Sequence, residues 1–222
     1  MQNATTVQRD PQRTTRRSLV QAAVVFTLYC LLSLASRFIP ILFVLVVGVG
    51  LWFPLIWGLC TKDWKRMGFT RRNIGPALLW GLGTGLVLMG VIWFTTEHKL
   101  APFFALQLIV GVPIWLLIMS PFQEFFFRGW LQPRFQDALG VWPGLLVTAI
   151  AFSLWHFFPL FEEAQIVPIR SPTGVAYTVG MGLVFGYIFR RTGNIIAPWL
   201  AHFRAGLILI MSGAMTFVQY VE

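Results

Sequence analysis

The sequence predicts an all-α fold, a polytopic transmembrane bundle of seven or eight helices. Hydrophobic residues make up 57% of the 222 residues and charged residues only 11%, whereas a soluble domain carries about 25% charged residues. The apolar residues also fall in long runs, which approach the roughly 20 residues that a helix needs to cross the hydrocarbon of a bilayer. Because backbone groups in lipid must be paired within their own segment, each run is predicted to be a helix.

Seven apolar runs define the predicted spans. They cover residues 19–35, 38–60, 74–94, 103–122, 141–158, 175–189 and 195–218. The count becomes eight if residues 124–135 form a tilted or amphipathic helix of their own beyond Pro121, since proline interrupts helical bonding. Residues 1–18 are polar and contain four arginines, which is typical of a disordered cytoplasmic tail. Residues 19–222 are interpreted as one transmembrane domain. Two glycine pairs in it have a small-xxx-small spacing that favours close helix packing, Gly81 with Gly85 and Gly182 with Gly186.

The distribution of basic residues predicts the orientation. Most lysines and arginines lie before the first span, between the second and third, and after the fourth and sixth. Cytoplasmic loops retain such residues, so we expect a cytoplasmic N-terminus and an external C-terminus, in a bacterial inner membrane. The net charge of +9 indicates contact with anionic lipid headgroups rather than nucleic acid, because the basic residues follow the membrane edges without interleaved aromatic residues.

Few ionisable residues fall inside the predicted spans, and these are functional candidates because an unpaired charge at membrane depth costs several kcal/mol. They are Glu124 and Arg128 at the end of span four, His156 in span five, and His202 and Arg204 in span seven. A carboxylate and two histidines on three spans are groups that activate water, by general base catalysis or around a metal. We therefore expect Glu124, His156 and His202 to meet in the folded bundle.

Each candidate also has a structural interpretation. Glu124 precedes Arg128 by four positions, which is the favourable order for an ion pair along a helix. Either histidine can instead bond a backbone carbonyl. His202 lies four residues after Pro198, whose ring leaves one carbonyl without its helical partner. These residues alone leave the functional and the structural interpretation open.

Three short motifs surround the candidates. They are Gln123-Glu124, followed after three residues by Arg128-Gly129; Phe152, four residues before His156; and residues 191–202, which lead to His202. In this order and on separate spans, the motifs resemble those of the CPBP family of intramembrane CAAX-type proteases, which process prenylated proteins and bacteriocins. The resemblance extends over about residues 117–206.

The resemblance implies hydrolysis of membrane-associated peptides or prenylated proteins by water that glutamate and histidine activate. It implies catalytic positions at Gln123, Glu124, His156 and His202, supported by Arg128 and Gly206. Two positions depart from the family pattern, which has a water-activating glutamate in place of Gln123 and an oxyanion-stabilising asparagine in place of Gly206. A carboxamide cannot accept a proton from water, and glycine supplies no side-chain donor.

Three explanations of these departures stay open: a natural non-catalytic relative, an active variant that uses Glu124 as the base, and an engineered change at position 123. The leading alternative to an enzyme is a non-catalytic membrane scaffold or complex subunit, in which Arg204 pairs with Glu124 and locks the cluster. Zinc or another divalent metal held by Glu124, His156 and His202 would match the three-ligand stoichiometry of catalytic zinc sites. No compact metal-binding signature supports that site.

Overall fold

The computed structural model describes residues 11–95, 100–159 and 171–218, except for the side chains of residues 11–14 and 95. Within these ranges it contains seven continuous helices and no strand, which confirms the predicted helical fold. The helices are α1 (Pro11–Ala35), α2 (Leu42–Thr61), α3 (Ile74–Thr95), α4 (Phe104–Leu139), α5 (Val141–Trp155), α6 (Pro172–Thr192) and α7 (Ile196–Met211). Helices α1 to α4 and α6 are long and apolar enough to cross a membrane, and α5 and α7 are shorter apolar helices. The chain is an integral membrane protein that contacts the lipid bilayer.

Helix α4 differs most from its prediction. A separate eighth helix over residues 124–135 does not form, because α4 continues without a break through Pro121. Two π-helical segments, Trp115–Met119 and Phe125–Leu131, lie on either side of the short α-helical segment Ser120–Glu124. Such π segments occur mostly as local insertions in α-helices and often at functional sites. The candidate residues at positions 123 and 124 therefore lie between two irregular turns.

The first π segment explains how the helix passes Pro121. In this segment the Ser120 amide bonds to the Trp115 carbonyl, five residues earlier. In the same register the Leu116 carbonyl would pair with the amide of residue 121, which proline lacks. The indole Nε1 of Trp199 on α7 donates to that carbonyl at 2.7 Å. A side chain from a neighbouring helix thus replaces the missing backbone donor.

The ends of the other helices also differ from the predicted spans. Helix α1 begins at Pro11, eight residues before the first apolar run, while residues 1–10 of the predicted tail lie outside the described part of the chain. Helices α5 and α7 end several residues before the corresponding apolar runs do. Helix α6 is longer than its run because Ser171 caps it, accepting a bond from the Gly174 amide at 3.0 Å.

Both predicted glycine pairs lie at close helix contacts. A Cβ atom added to the first glycine of the α3 pair would lie 2.7 Å from the Ala197 carbonyl oxygen on α7. In the α6 pair, a Cβ atom on the first glycine would lie 2.9 Å from the Ala149 Cα on α5. Helix α3 therefore packs directly on α7, and α6 packs directly on α5, through the close contacts that these glycines allow.

Helix α4 lies at the centre of this bundle. All residues from 120 to 135 are buried, and its aromatic side chains pack against α1, α2 and α5. Tyr29 of α1 lies 4.2 Å from Phe126 between ring centroids, and Phe53 of α2 lies 5.0 Å from Trp130. The packed rings hold the middle of α4 in a fixed rotation, and this determines which of its polar side chains face the neighbouring helices.

Candidate active site

Glu124 is fully buried in the middle of α4. Its Oε1 lies 3.2 Å from Nη1 of Arg128 and 2.7 Å from Nδ1 of His202 on α7. A carboxylate can only accept, so in the ion pair with Arg128 the bond is donated by His202 Nδ1. A histidine that donates through Nδ1 and is neutral keeps a lone pair on Nε2. The predicted meeting of Glu124 and His202 is present as a direct contact.

Arg128 is also fully buried and forms the charged partner of Glu124. Its Nη2 donates to the Gly182 carbonyl at 3.2 Å. The guanidinium carbon lies 4.2 Å from the ring centroid of Phe152 and 5.3 Å from that of Phe185, within the range of cation–π attraction. The ion pair predicted along α4 thus exists, and the rings fix the position of its cation.

A cavity of about 390 Å³ lies beside this pair, a volume typical of small-ligand sites. Gln123, His156 and His202 line it together with many aromatic and aliphatic side chains, whereas Glu124 does not. None of the described lining residues is Asp, Glu, Lys or Arg. The structure therefore brings three of the four predicted residues to one cavity and leaves Glu124 behind its wall, in contact with His202.

His156 follows the last residue of α5 and lines the cavity. Its Nδ1 lies 2.7 Å from the Phe152 carbonyl oxygen. A carbonyl only accepts, so Nδ1 carries the proton and Nε2 is left with a lone pair when the ring is neutral. The four-residue spacing in this motif therefore orients the imidazole by a bond to the carbonyl one turn earlier, and the Phe152 ring also contacts His156 at 4.5 Å between centroids.

Gly206 lines the cavity one turn after His202. A Cβ atom at this position would overlap the Trp115 indole, with Nε1 as the nearest atom. Trp115 is buried, begins the first π segment of α4 and also lines the cavity. The indole therefore occupies the space beside α7 that any side chain at position 206 would need.

One family model matches this region of the chain. Residues 105–208 match the model described as type II CAAX prenyl endopeptidase Rce1-like. Residues 105–208 form an Rce1-like domain of the CPBP protease family. The domain covers just under half of the chain and extends from the start of α4 almost to the end of α7. No curated protein and no solved structure is similar enough to count as a match.

The Rce1-like domain contains all six positions that the resemblance singled out, so the family prediction from residues 117–206 is confirmed. Trp115 also lines the cavity, and the sequence did not single it out. It lies in an apolar run among other aromatic residues, and its approach to Gly206 depends on the π segment and on packing between α4 and α7. No sequence pattern available for this chain would have selected it.

Arg204 does not join the cluster. Its Nη1 donates to the Leu82 carbonyl on α3 at 3.4 Å, and Arg204 is not among the residues that line the cavity. The pairing of Glu124 with Arg204 that the scaffold alternative allowed is therefore absent, and Arg128 is the cation beside Glu124. Arg204 and His202 are two residues apart on a helix, a separation that turns their side chains to different faces.

The metal site that the sequence left open does not fit the geometry of the domain. Within residues 11–95, 100–159 and 171–218, no group of three His, Cys, Asp or Glu side chains is arranged to hold a metal ion. Glu124 directs Oε1 at Arg128 and at the protonated Nδ1 of His202, and it is absent from the cavity wall where His156 lies. These three residues therefore do not form the three-ligand set of a catalytic zinc site.

Proposed function

We propose that this protein is an intramembrane endopeptidase in which His202, oriented by Glu124, activates the water that Gln123 cannot deprotonate. The observation that carries the proposal is the 2.7 Å bond from His202 Nδ1 to Glu124 Oε1, with His202 on the cavity wall. A buried carboxylate that binds one imidazole nitrogen fixes the tautomer and stabilises the imidazolium formed when the other nitrogen takes a proton. Glu124 thereby contributes to catalysis without facing the cavity.

The reaction follows from this arrangement. His202 Nε2 accepts a proton as the water oxygen bonds to the carbonyl carbon of the scissile peptide. The tetrahedral intermediate collapses by breaking the C–N bond, and His202 returns the proton to the leaving nitrogen. Gln123 binds the water or the peptide through its amide group, and the Nε2 lone pair of His156 accepts the second water hydrogen.

The cavity supports an apolar substrate. Its described lining residues carry no Asp, Glu, Lys or Arg, and aromatic rings such as Phe122, Trp155 and Phe185 form much of its wall. A charged side chain would be desolvated there without a partner. We therefore expect membrane-associated peptides or prenylated proteins as substrates, in agreement with the description of the matching family.

The orientation in the membrane is part of this proposal. The side chains of Asn73 and Asn194 tie the segment before α3 to the end of α6 by bonds to the carbonyls of Thr192, Thr70 and Arg72. The exposed basic residues of both segments therefore share one end of the bundle, and we expect this end and the N-terminus to be cytoplasmic, in a bacterial inner membrane. Labelling of single cysteines introduced at positions 71 and 191, in a variant without the native cysteines, would test this orientation, since external labelling of both would reverse it.

The direct test of function is cleavage of a library of prenylated and unmodified apolar peptides by the purified protein in lipid nanodiscs. We expect the wild type to cleave and His202→Gln to lose about 10²- to 10⁴-fold in rate, the usual effect of removing a general base. Arg204→Gln is the matched control, because Arg204 lies on the same helix and faces α3. Cleavage by His202→Gln at the wild-type rate would refute the assigned base.

The second candidate function is peptide binding without cleavage, as a membrane scaffold or complex subunit. It is favoured by the closed ion pair between Glu124 and Arg128 and by the carboxamide of Gln123 in place of a cavity carboxylate. In the same nanodisc experiment, a folded wild type that binds the peptides and cleaves none would establish this alternative.

A further inference from the structure

The ring N–H groups on the cavity wall differ in how well they are paired. His202 Nδ1 bonds to Glu124, His156 Nδ1 to Phe152 and Trp155 Nε1 to the Ser33 hydroxyl, each at 2.7 Å. Trp115 Nε1 is the fourth such group, and its bond to the His202 carbonyl is 3.5 Å long. That length is beyond the usual range for N–H···O bonds.

The acceptor of this long bond has another partner. The His202 carbonyl lies inside the α-helical part of α7, where a carbonyl accepts from the amide four residues later, here that of Gly206. Releasing the Trp115 N–H would therefore not orphan a buried carbonyl. The indole N–H is a buried donor that can change partner at little cost.

We infer that the Trp115 indole N–H is the donor that binds the substrate carbonyl and stabilises the developing oxyanion. This inference rests on the proposed peptidase function and names a catalytic residue for it. Trp115 lies beside Gly206, one turn along α7 from the base His202, and the indole and imidazole centroids are 6.0 Å apart. Both rings line the cavity, so a substrate carbonyl that enters it beside His202 can accept from the indole N–H in place of the long bond to α7, while its carbon faces the attacking water.

The absence of a side chain at position 206 is necessary for this arrangement. A Cβ atom there would overlap the indole, so only glycine leaves room for the ring at this position. Glycine at this position is thus coupled to Trp115, and the chain does not lack an oxyanion donor. The donor comes from α4 and not from α7.

The first test is steady-state hydrolysis of an apolar peptide by Trp115→Phe, which retains an aromatic ring and removes the donor. We expect kcat to fall about 10²- to 10³-fold, as for loss of an oxyanion donor, with KM nearly unchanged. Trp199→Phe is the matched control, because it removes the other indole bond between α7 and α4, at 2.7 Å to Leu116, and does not line the cavity. An equal loss of kcat in both variants would assign Trp115 to packing alone and overturn the inference.

A rescue variant separates the donor from the shape of the ring. Trp115→Ala removes the overlap at position 206, so Trp115→Ala with Gly206→Asn places a side-chain amide in the vacated space. We expect the double variant to exceed Trp115→Ala in kcat by at least about 10-fold, since it regains a donor. No gain in a folded double variant, together with full activity of Trp115→Phe, would refute the assignment.

A second measurement does not depend on turnover. An apolar peptidyl ketone labelled with ¹³C at its carbonyl is bound to the protein, and its stretching frequency is read by infrared difference spectroscopy. We expect a lower frequency in the wild type than in Trp115→Phe, because a hydrogen bond weakens the carbonyl bond. Equal frequencies, or no bound carbonyl in the wild type, would overturn the inference. A Trp115-dependent shift without peptide cleavage would refute the peptidase proposal and leave the donor role standing.

Discussion

Glu124 Oε1 and His202 Nδ1 are 2.7 Å apart although 78 positions separate them in the chain. This contact joins the central helix α4 to α7 and connects a fully buried ion pair to a residue on the cavity wall. The carboxylate therefore has two partners with different roles. Arg128 neutralises the charge of Glu124, and His202 connects Glu124 to the cavity wall.

The ion pair gives a prediction about stability. Glu124→Gln leaves the Arg128 guanidinium buried without a counter-ion, so we expect the protein to lose about 3–5 kcal/mol in unfolding free energy, as for other buried pairs broken on one side. Glu124→Gln with Arg128→Met removes both charges and should regain most of that loss. The measurement is chemical unfolding in detergent, with Arg204→Met as the control for removing an arginine outside the cluster. A double variant as unstable as Glu124→Gln would contradict the prediction.

Gln123 gives a prediction about rate. Because its side chain lines the cavity, Gln123→Glu adds a carboxylate beside the water that His202 activates. We expect peptide hydrolysis to rise by about 10²- to 10⁴-fold if the added group acts as a general base, and initial rates over a pH series would measure it. Gln132→Glu, in the same helix but bonded to the Gly186 carbonyl, serves as a comparison at a site away from the cavity. A folded Gln123→Glu variant with an unchanged rate would show that position 123 does not hold the water.

Position 206 gives a prediction about packing. Gly206→Ala adds one methyl group where the Trp115 indole already lies, so we expect a loss of about 1–3 kcal/mol, the usual cost of overpacking. In a Trp115→Ala background the same change should be nearly neutral, because the indole is gone. Thermal unfolding of the four variants forms a double-mutant cycle. Gly180→Ala is the control, since a Cβ atom there meets nothing within 4 Å. Additive effects of the two changes would exclude direct contact.

The turn before Pro121 gives a fourth prediction. Trp199→Phe removes the indole donor to the Leu116 carbonyl, and we expect a loss of about 1 kcal/mol from the unpaired carbonyl. Pro121→Ala supplies a backbone amide that can take over as donor. In that background Trp199→Phe should therefore cost less, and stability measurements on all four variants would detect the coupling. An equal cost in both backgrounds would mean that the indole does not replace the missing amide.

The sequence predicted the helices and the contact between Glu124 and His202 because both follow from strong physical constraints. Apolar runs must be helical in lipid, and the rare ionisable side chains within them must find partners. The scaffold alternative paired Glu124 with Arg204, and this pair does not form. The sequence could not choose between Arg204 and Arg128, because Arg128 lies close to Glu124 along the chain and Arg204 lies close to His202. Only helix packing determines that Arg204 turns toward Leu82.

For a related reason, the sequence could not predict that Gln123 lines the cavity and Glu124 does not. Neighbouring residues on a helix point about 100° apart, so one of the two faces the cavity and the other does not. The π segments on both sides of this pair change the rotation of α4 locally, and no motif in the chain marks where they begin. Trp115 begins the first π segment and lies against Gly206. Sequence spacing could not predict this contact.

The short length of α5 and α7 affects the surrounding membrane. These helices have 15 and 16 residues, about 22–24 Å at 1.5 Å per residue, whereas the hydrocarbon core of a bilayer is about 30 Å thick. This hydrophobic mismatch is relieved when the leaflet thins locally beside the short helices. Both histidines of the cavity belong to these two helices, His202 within α7 and His156 directly after α5. We expect this thinning to bring the headgroup region and its water closer to the two residues for which we propose contact with a catalytic water molecule.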